Sequence, residues 1–181
     1  MALRATIYKA ELSVADIDRG YYADHALTIA RHPSETEERM MIRLLAFALR
    51  ADPALTFGPG LSTDDEPDLC ARDATGAIDT WIDVGWPDER RVRRACSRAR
   101  DVLVVTYGGA KAGAWWAQCA AALARCSNFG AIEVPAQASQ ALAALARRAM
   151  RVHCTIQDGH VTIGADDGQA TFEPVVLRAR G

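Results

Sequence analysis

The chain has 181 residues, half of them hydrophobic, and a formal net charge of -2. That length suits one compact domain over residues 1–181 with a substantial core, and the charge supplies no global attraction to nucleic acid or anionic lipid. The longest apolar stretches, such as Val102 to Tyr107, are far short of the roughly 20 residues of a membrane span, and the segment from Met1 to Lys9 lacks the features of a signal peptide, so a cytoplasmic protein is expected.

Residues Arg4 to Val14 alternate like a strand, Asp16 to Gly20 reads as a turn, and Tyr22 to Ala30 alternates again, which predicts an N-terminal β-hairpin. Ser34 and Glu37 have the spacing of a capping box, and Met41, Leu44, Leu45, Ala48 and Leu49 recur with helical period, predicting an amphipathic helix that ends near Asp52-Pro53. A polar linker from Phe57 to Pro67 leads into two short strands around the turn signal Asp73-Ala74-Thr75-Gly76, the second running from Ile78 to Val84. A helix is expected from Pro87 onward, with Val92, Ala95, Cys96 and Ala99 on its apolar face. The continuous run from Val102 to Tyr107 suits a strand covered on both faces, so a parallel crossover is expected. Helices over 112–125 and 136–150, with a strand at 129–134 between them, precede a C-terminal three-stranded meander whose turns fall at Asp158-Gly159 and Asp167-Gly168.

The hairpin centred on Asp73 to Gly76 carries the chemistry. Its apolar side holds Leu69, Ala71, Ile78, Ile82 and Val84, so alternation sends Asp68, Cys70 and Arg72 to the other face together with Asp79, Trp81 and Asp83. With an even-length loop, Asp68 lies opposite Asp83 or one step from it. Two neighbouring carboxylates repel unless a cation, a proton or an arginine lies between them, and Mg²⁺ typically takes one or two such groups with waters and phosphate oxygens. The alternative is an ordinary surface, with Arg72 paired to Asp79 and the other acids solvated.

Pro67-Asp68 followed by Asp83-Val84-Gly85, ahead of a helix and a buried strand, resembles the PD-(D/E)xK nuclease pattern. Over nearly its whole length the chain is similar to the bacterial YaeQ family, through His32-Pro33-Ser34-Glu35-Thr36, Glu38-Arg39-Met40-Met41, Arg43-Leu44-Leu45-Ala46, Asp64-Asp65-Glu66-Pro67, Pro87-Asp88-Glu89-Arg90 and Thr155-Ile156-Gln157-Asp158-Gly159. The resemblance implies a mixed α/β (α+β) fold: a nuclease-like central mixed sheet flanked by helices, extended by the N-terminal hairpin and the C-terminal meander. It also implies that Asp68 and Asp83 are the metal-binding acids, that a helical carboxylate supplements them, and that the metal is Mg²⁺ or Mn²⁺. The candidates for the supplement are Glu35, Glu37 and Glu38; Glu38 is preferred because it stays within the Glu-Arg-Met-Met stretch, and Glu37 is accounted for by its capping role.

Gly85 stands where the pattern requires lysine. That lysine would orient the attacking water and stabilise charge, and of the 21 basic residues only Lys9 and Lys111 are lysines. Lys9 could project from the first strand, and Arg90 or Arg91 could reach back from the next helix to contact phosphate, although arginine cannot act as a base. Two readings of function therefore stand. One is a Mg²⁺-dependent phosphodiesterase acting on nucleic acid; the other is a catalytically degenerate nuclease-like fold that binds nucleic acid or a protein as a regulatory module.

Other constellations point elsewhere. The five cysteines form no Cys-x-x-Cys pair and read as reduced, buried thiols. His25, His32, His153 and His160 share no ligand spacing on one element and read as structural or surface residues. The arginine-rich helix from Arg90 to Arg100 could meet phosphates and Trp81 or Trp86 could stack on bases, against the readings of a solvated helix face and aromatic packing. Trp115 and Trp116 read as core.

Overall fold

Residues 4–59 and 65–180 are described by the structure, a computed structural model. Part of the polar linker predicted between Phe57 and Pro67, including Asp64, lies outside the described residues.

The N-terminal alternation forms β1 (Thr6–Asp16) and β2 (Tyr21–Arg31), paired antiparallel from Thr6 opposite Arg31 to Asp16 opposite Tyr21. Tyr8, Ala10, Leu12 and Val14 fill the inner face, while Lys9, Glu11 and Ser13 face solvent. Next comes α1 (Glu37–Leu49). Its N-cap is Thr36, whose hydroxyl accepts from the Arg39 amide at 3.1 Å, and not Ser34, which bonds to Nδ1 of His32 at 2.6 Å. The expected capping box does not form. The expected amphipathicity does not hold either, because every residue from Met40 to Ala48 is buried. A helix buried all round needs a layer on each side, and α1 packs against β1 and β2 on one side and a second sheet on the other.

That second sheet comprises β3 (Thr56–Phe57), β4 (Leu69–Arg72), β5 (Ile78–Val84), β6 (Ala99–Tyr107), β7 (Phe129–Val134) and β11 (Val175–Arg178), in the order β11-β7-β6-β5-β4-β3. Strands β5, β6 and β7 run parallel. The crossover helices are α2 (Glu89–Arg98) between β5 and β6, and α3 (Ala110–Cys119) between β6 and β7. As expected of a strand covered on both faces, β6 sends Leu103, Val105 and Tyr107 into the core shared with α1, and Val102 and Val104 into a smaller core with Val92, Trp115 and Phe129.

The remaining elements are α4 (Ala136–Ala144), β8 (Ala149–Gln157), β9 (His160–Ala165) and β10 (Gly168–Phe172). Strands β8 to β10 are the predicted meander, but β8 begins at Ala149, within the segment expected to be helical, and α3 and α4 are shorter than predicted. The hairpin and meander do not extend the central sheet. They form a sheet of their own, ordered β10-β9-β8-β1-β2, closed by parallel pairing of β1 with β8 from Lys9 opposite Ala149 to Asp16 opposite Ile156. The fold is thus mixed α+β with two mixed sheets, α1 lying between them.

Candidate functional site

The β4–β5 hairpin delivers the acid pair. Leu69 stands opposite Ile82 and Cys70 opposite Trp81, so even positions face odd ones as parity predicted, despite a register shift between Ala71 and Arg72. One step further along this register Asp68 faces Asp83. Both are buried, at 4% and 2% exposure. The alternative pairing of Arg72 with Asp79 does not occur: Arg72 donates to the Gly76 carbonyl at 3.0 Å, and Asp79 is met by Arg100 at 3.3 Å.

Each acid has its own arginine. Arg39 Nη2 donates to Oδ1 and Oδ2 of Asp68 at 2.8 and 2.9 Å and to the Val84 carbonyl at 3.1 Å, while the Val84 amide donates to Asp68 Oδ2 at 2.8 Å. Asp83 is gripped bidentately by Arg91, Nε to Oδ2 and Nη2 to Oδ1, both at 2.8 Å. Every carboxylate oxygen of the pair faces a guanidinium. A divalent ion binds through those same lone pairs, so in this arrangement it would have to displace both arginines. Among the described residues, no group of three or more His, Cys, Asp or Glu side chains converges as a metal-binding set.

The backbone angle explains Gly85. At φ +105° the Gly85 backbone lies in the region that side chains disfavour, and a Cβ there would stand 4.0 Å from Nε of Arg39. The position cannot carry lysine without strain, and the cation beside it comes instead from α1. Through Nη1, Arg39 donates to Glu35 Oε1 at 2.8 Å; Glu35 accepts in turn from Arg43 Nε at 2.8 Å and Nη2 at 2.7 Å. Asp68, Arg39, Glu35 and Arg43 thus form one alternating chain of charge through the core. Arg43 reaches onward to the Ala30 carbonyl at 2.8 Å and is itself fully buried. Buried charges are tolerated when paired and hydrogen-bonded in this way.

The other expected site residues make contacts of their own. Glu38 accepts from the buried Ser139 hydroxyl of α4 at 2.7 Å. Lys9 projects from the outward face of the other sheet, where it lines a groove of about 570 Å³ with Thr28, Ala149 and Arg151. Arg90 is exposed in the first turn of α2. Trp81 is core, only 1% exposed, so it presents no stacking surface. Its indole N–H meets no acceptor in hydrogen-bonding geometry among the described residues, so its influence on the Asp83 carboxylate is that of a nearby dipole.

At the C-terminal ends of the parallel strands, where α/β sheets place their ligands, Trp86 is half-buried. Its ring lies 4.6 Å from that of Tyr107, its indole N–H donates to the Tyr107 carbonyl at 2.9 Å, and Nζ of the exposed Lys111 sits 3.6 Å from the ring centroid. Burial pushes the Tyr107 hydroxyl up to about 12, so it stays protonated at neutral pH. Burial likewise pushes the Cys96 and Cys154 thiols up to about 12, which leaves them poor nucleophiles.

Burial raises the Asp83 carboxyl above its ordinary value of 3.8; Arg91 opposes the shift and Asp68 reinforces it. An acid raised in the folded state holds its proton more tightly there than in the unfolded chain. Its contribution to stability is therefore present below the unfolded value and is lost as pH rises through the raised one. Asp83→Asn is expected to remove this component: in urea titrations from about pH 3.5 to pH 6, wild-type stability should fall relative to the variant as pH rises. Parallel curves would contradict it.

Arg39 and Arg43 escaped the sequence reading as site residues, and Glu35, one of the candidate metal-binding carboxylates there, holds these two arginines instead. Their signal is the spacing Glu35, Arg39, Arg43, an acid followed at successive four-residue steps by bases, which a helical row brings together; only Arg39 and Arg43 fall inside α1, with Glu35 just ahead of it.

Comparison with known proteins places this architecture. The family model described as YaeQ protein matches residues 1–174. The uncharacterized protein YaeQ of Escherichia coli (strain K12) is 45% identical over 166 residues, covering 92% of each chain, and that of Salmonella typhi is 47% identical over 161 residues, covering 89% of each. The crystal structure of YaeQ protein from Xanthomonas axonopodis pv. citri superposes with a TM-score of 0.94 at 55% identity, covering 97% of this chain and 99% of that one. That from Pseudomonas syringae superposes with a TM-score of 0.92 at 36% identity, covering 98% of both.

Proposed function

The chain belongs to the YaeQ family, and from its own site we propose that it is a nuclease-like fold whose metal-binding acid pair has become a structural tie, leaving a module that binds nucleic acid without cutting it. The observation that carries this reading is the Arg39 guanidinium, bonded at once to Asp68, Glu35 and the Val84 carbonyl beside Gly85. It takes the place of both the ion and the motif lysine. A guanidinium can offset charge but neither activates water nor accepts its proton, so hydrolysis loses its two principal agents together.

The proposed binding surface is the mouth beside this tie. Lys111 is exposed over Trp86, and Arg90, likewise exposed, has no ion-pair partner among the described residues. Both suit phosphate contacts. Most other α2 arginines are already engaged: Arg93 with Glu89 at 3.1 Å, and Arg94 with Asp65. The basic helix is therefore largely neutralised, and the contacts fall to few residues.

The metal-dependent reading, with Asp68, Asp83 and Glu38 holding Mg²⁺ or Mn²⁺, makes the opposite prediction in one assay. Binding of a single-stranded oligonucleotide, followed by fluorescence anisotropy, is expected to survive EDTA, to weaken with salt, and to weaken roughly tenfold in a Lys111→Ala/Arg90→Ala variant, with no cleavage in Mg²⁺ or Mn²⁺. Absence of binding, or metal-dependent cleavage abolished by Asp83→Ala, would overturn the proposal.

A further inference from the structure

At the opposite, N-terminal ends of β5 and β6 lies a second cleft, of about 360 Å³, walled by the end of α1, the β4–β5 turn and the start of β6. Its cations differ in one respect. Arg19 is paired to Asp16 at 2.5 Å, Arg100 lies 3.1 Å from Asp73 and 3.3 Å from Asp79, and Arg72 donates to the Gly76 carbonyl at 3.0 Å. Arg50, immediately after α1, returns its backbone N–H to Phe47 at 3.2 Å, but its guanidinium makes no hydrogen bond or ion pair among the described residues.

Arg50 is half-buried, and burial lowers its pKa from the usual value, with Arg180 and Arg19 pushing in the same direction. Asp101 and, more weakly, Asp16 attract it without contact; Asp16 is held by Arg19, and Asp101 is committed to Arg180 at 2.6 Å through Oδ2, its buried Oδ1 having no donor among the described residues. A guanidinium partly removed from water, flanked by like charges and touching no carboxylate, bears a cost that an anion in the cleft would offset. Four carboxylates stand on the same walls: Asp73, Asp79 and Asp101 are ion-paired to Arg100 or Arg180, and Asp52 accepts from the Ala54 amide at 2.7 Å, with lone pairs of Asp52 and Asp79 left as acceptors.

We infer that this cleft binds a phosphate-bearing small molecule, with Arg50 as the principal phosphate contact and Arg72 as a second. The planar fork of arginine matches phosphate geometry. Hydroxyl groups on the rest of the ligand would donate to Asp52 and Asp79, and the volume lies within the range of small-molecule sites, about 300–1,000 Å³. The inference is independent of the nucleic-acid reading, since it concerns the other end of the sheet.

Isothermal titration of the full chain tests it, with ribose 5-phosphate, inorganic phosphate and ribose as probes. Ribose 5-phosphate or inorganic phosphate is expected to bind saturably, the first identifying a phosphate monoester and the second the free ion as the better ligand, while ribose does not bind. Arg50→Ala should weaken binding roughly tenfold or more, Arg50→Lys less, and Arg147→Ala, at an exposed arginine paired to Asp167 outside the cleft, not at all. If Arg50→Ala fails to fold, the Arg50→Lys comparison decides. Overturning results are the absence of saturable binding of either phosphate, or binding unchanged in the Arg50 variants.

Discussion

Glu35→Ala is expected to be the most damaging single substitution in the molecule, costing about 3–5 kcal/mol, the range seen when one partner of a buried ion pair is removed. Glu35 joins two guanidiniums, and its side chain and that of Arg43 are both fully buried. Without it Arg43 keeps only the Ala30 carbonyl as a hydrogen-bond partner among the described residues, where its Nη1 already lacks one. Natural domains have only about 5–15 kcal/mol of stability in total. The variant should therefore unfold at much lower urea or fail to accumulate folded, whereas a surface change such as Glu11→Ala should stay within about 0.5 kcal/mol. A wild-type urea midpoint in Glu35→Ala would show that the charge chain does not hold α1 in place.

Arg39→Ala is the second. It removes the guanidinium donors of Asp68 and leaves that buried carboxylate with the Val84 amide alone. It also frees one of the two arginine contacts of Glu35. A loss of about 3 kcal/mol is expected, less than for Glu35 because the Arg39 side chain is 14% exposed and water can partly enter the vacated space. Arg39→Lys should recover only part of it. Lysine supplies the charge, but not a planar fork spanning Asp68, Glu35 and the Val84 carbonyl. Full recovery by lysine would mean that charge alone matters at this position.

Local signals carried most of the secondary structure. Alternation located β1 and β2, the turn pairs at Asp158-Gly159 and Asp167-Gly168 located the meander, and the unbroken run in β6 correctly announced a strand covered on both faces. The two-sheet arrangement was not legible. It depends on β1 pairing with β8, a contact between segments some 140 residues apart, joining Lys9 to Ala149 and Asp16 to Ile156. For the same reason α1 looked amphipathic: the second layer that buries its remaining face is not written in its own periodicity. At the site, strand parity brought Asp68 and Asp83 to one face. Their partners lay beyond such arguments, because Arg39 comes from a helix 29 residues earlier in the chain than Asp68. Gly85 was legible as a departure from the pattern the chain resembles, but its cause required the backbone angle.

In the proposed arrangement arginines, and not a divalent ion, neutralise the acid pair. Mn²⁺ titration followed by electron paramagnetic resonance tests it most directly, because bound Mn²⁺ disappears from the sharp signal of the free ion. Wild-type protein is expected to leave the free signal unreduced beyond what Asp68→Ala and Asp83→Ala leave. A stoichiometric loss of free Mn²⁺ with the wild type, abolished by either substitution, would contradict it.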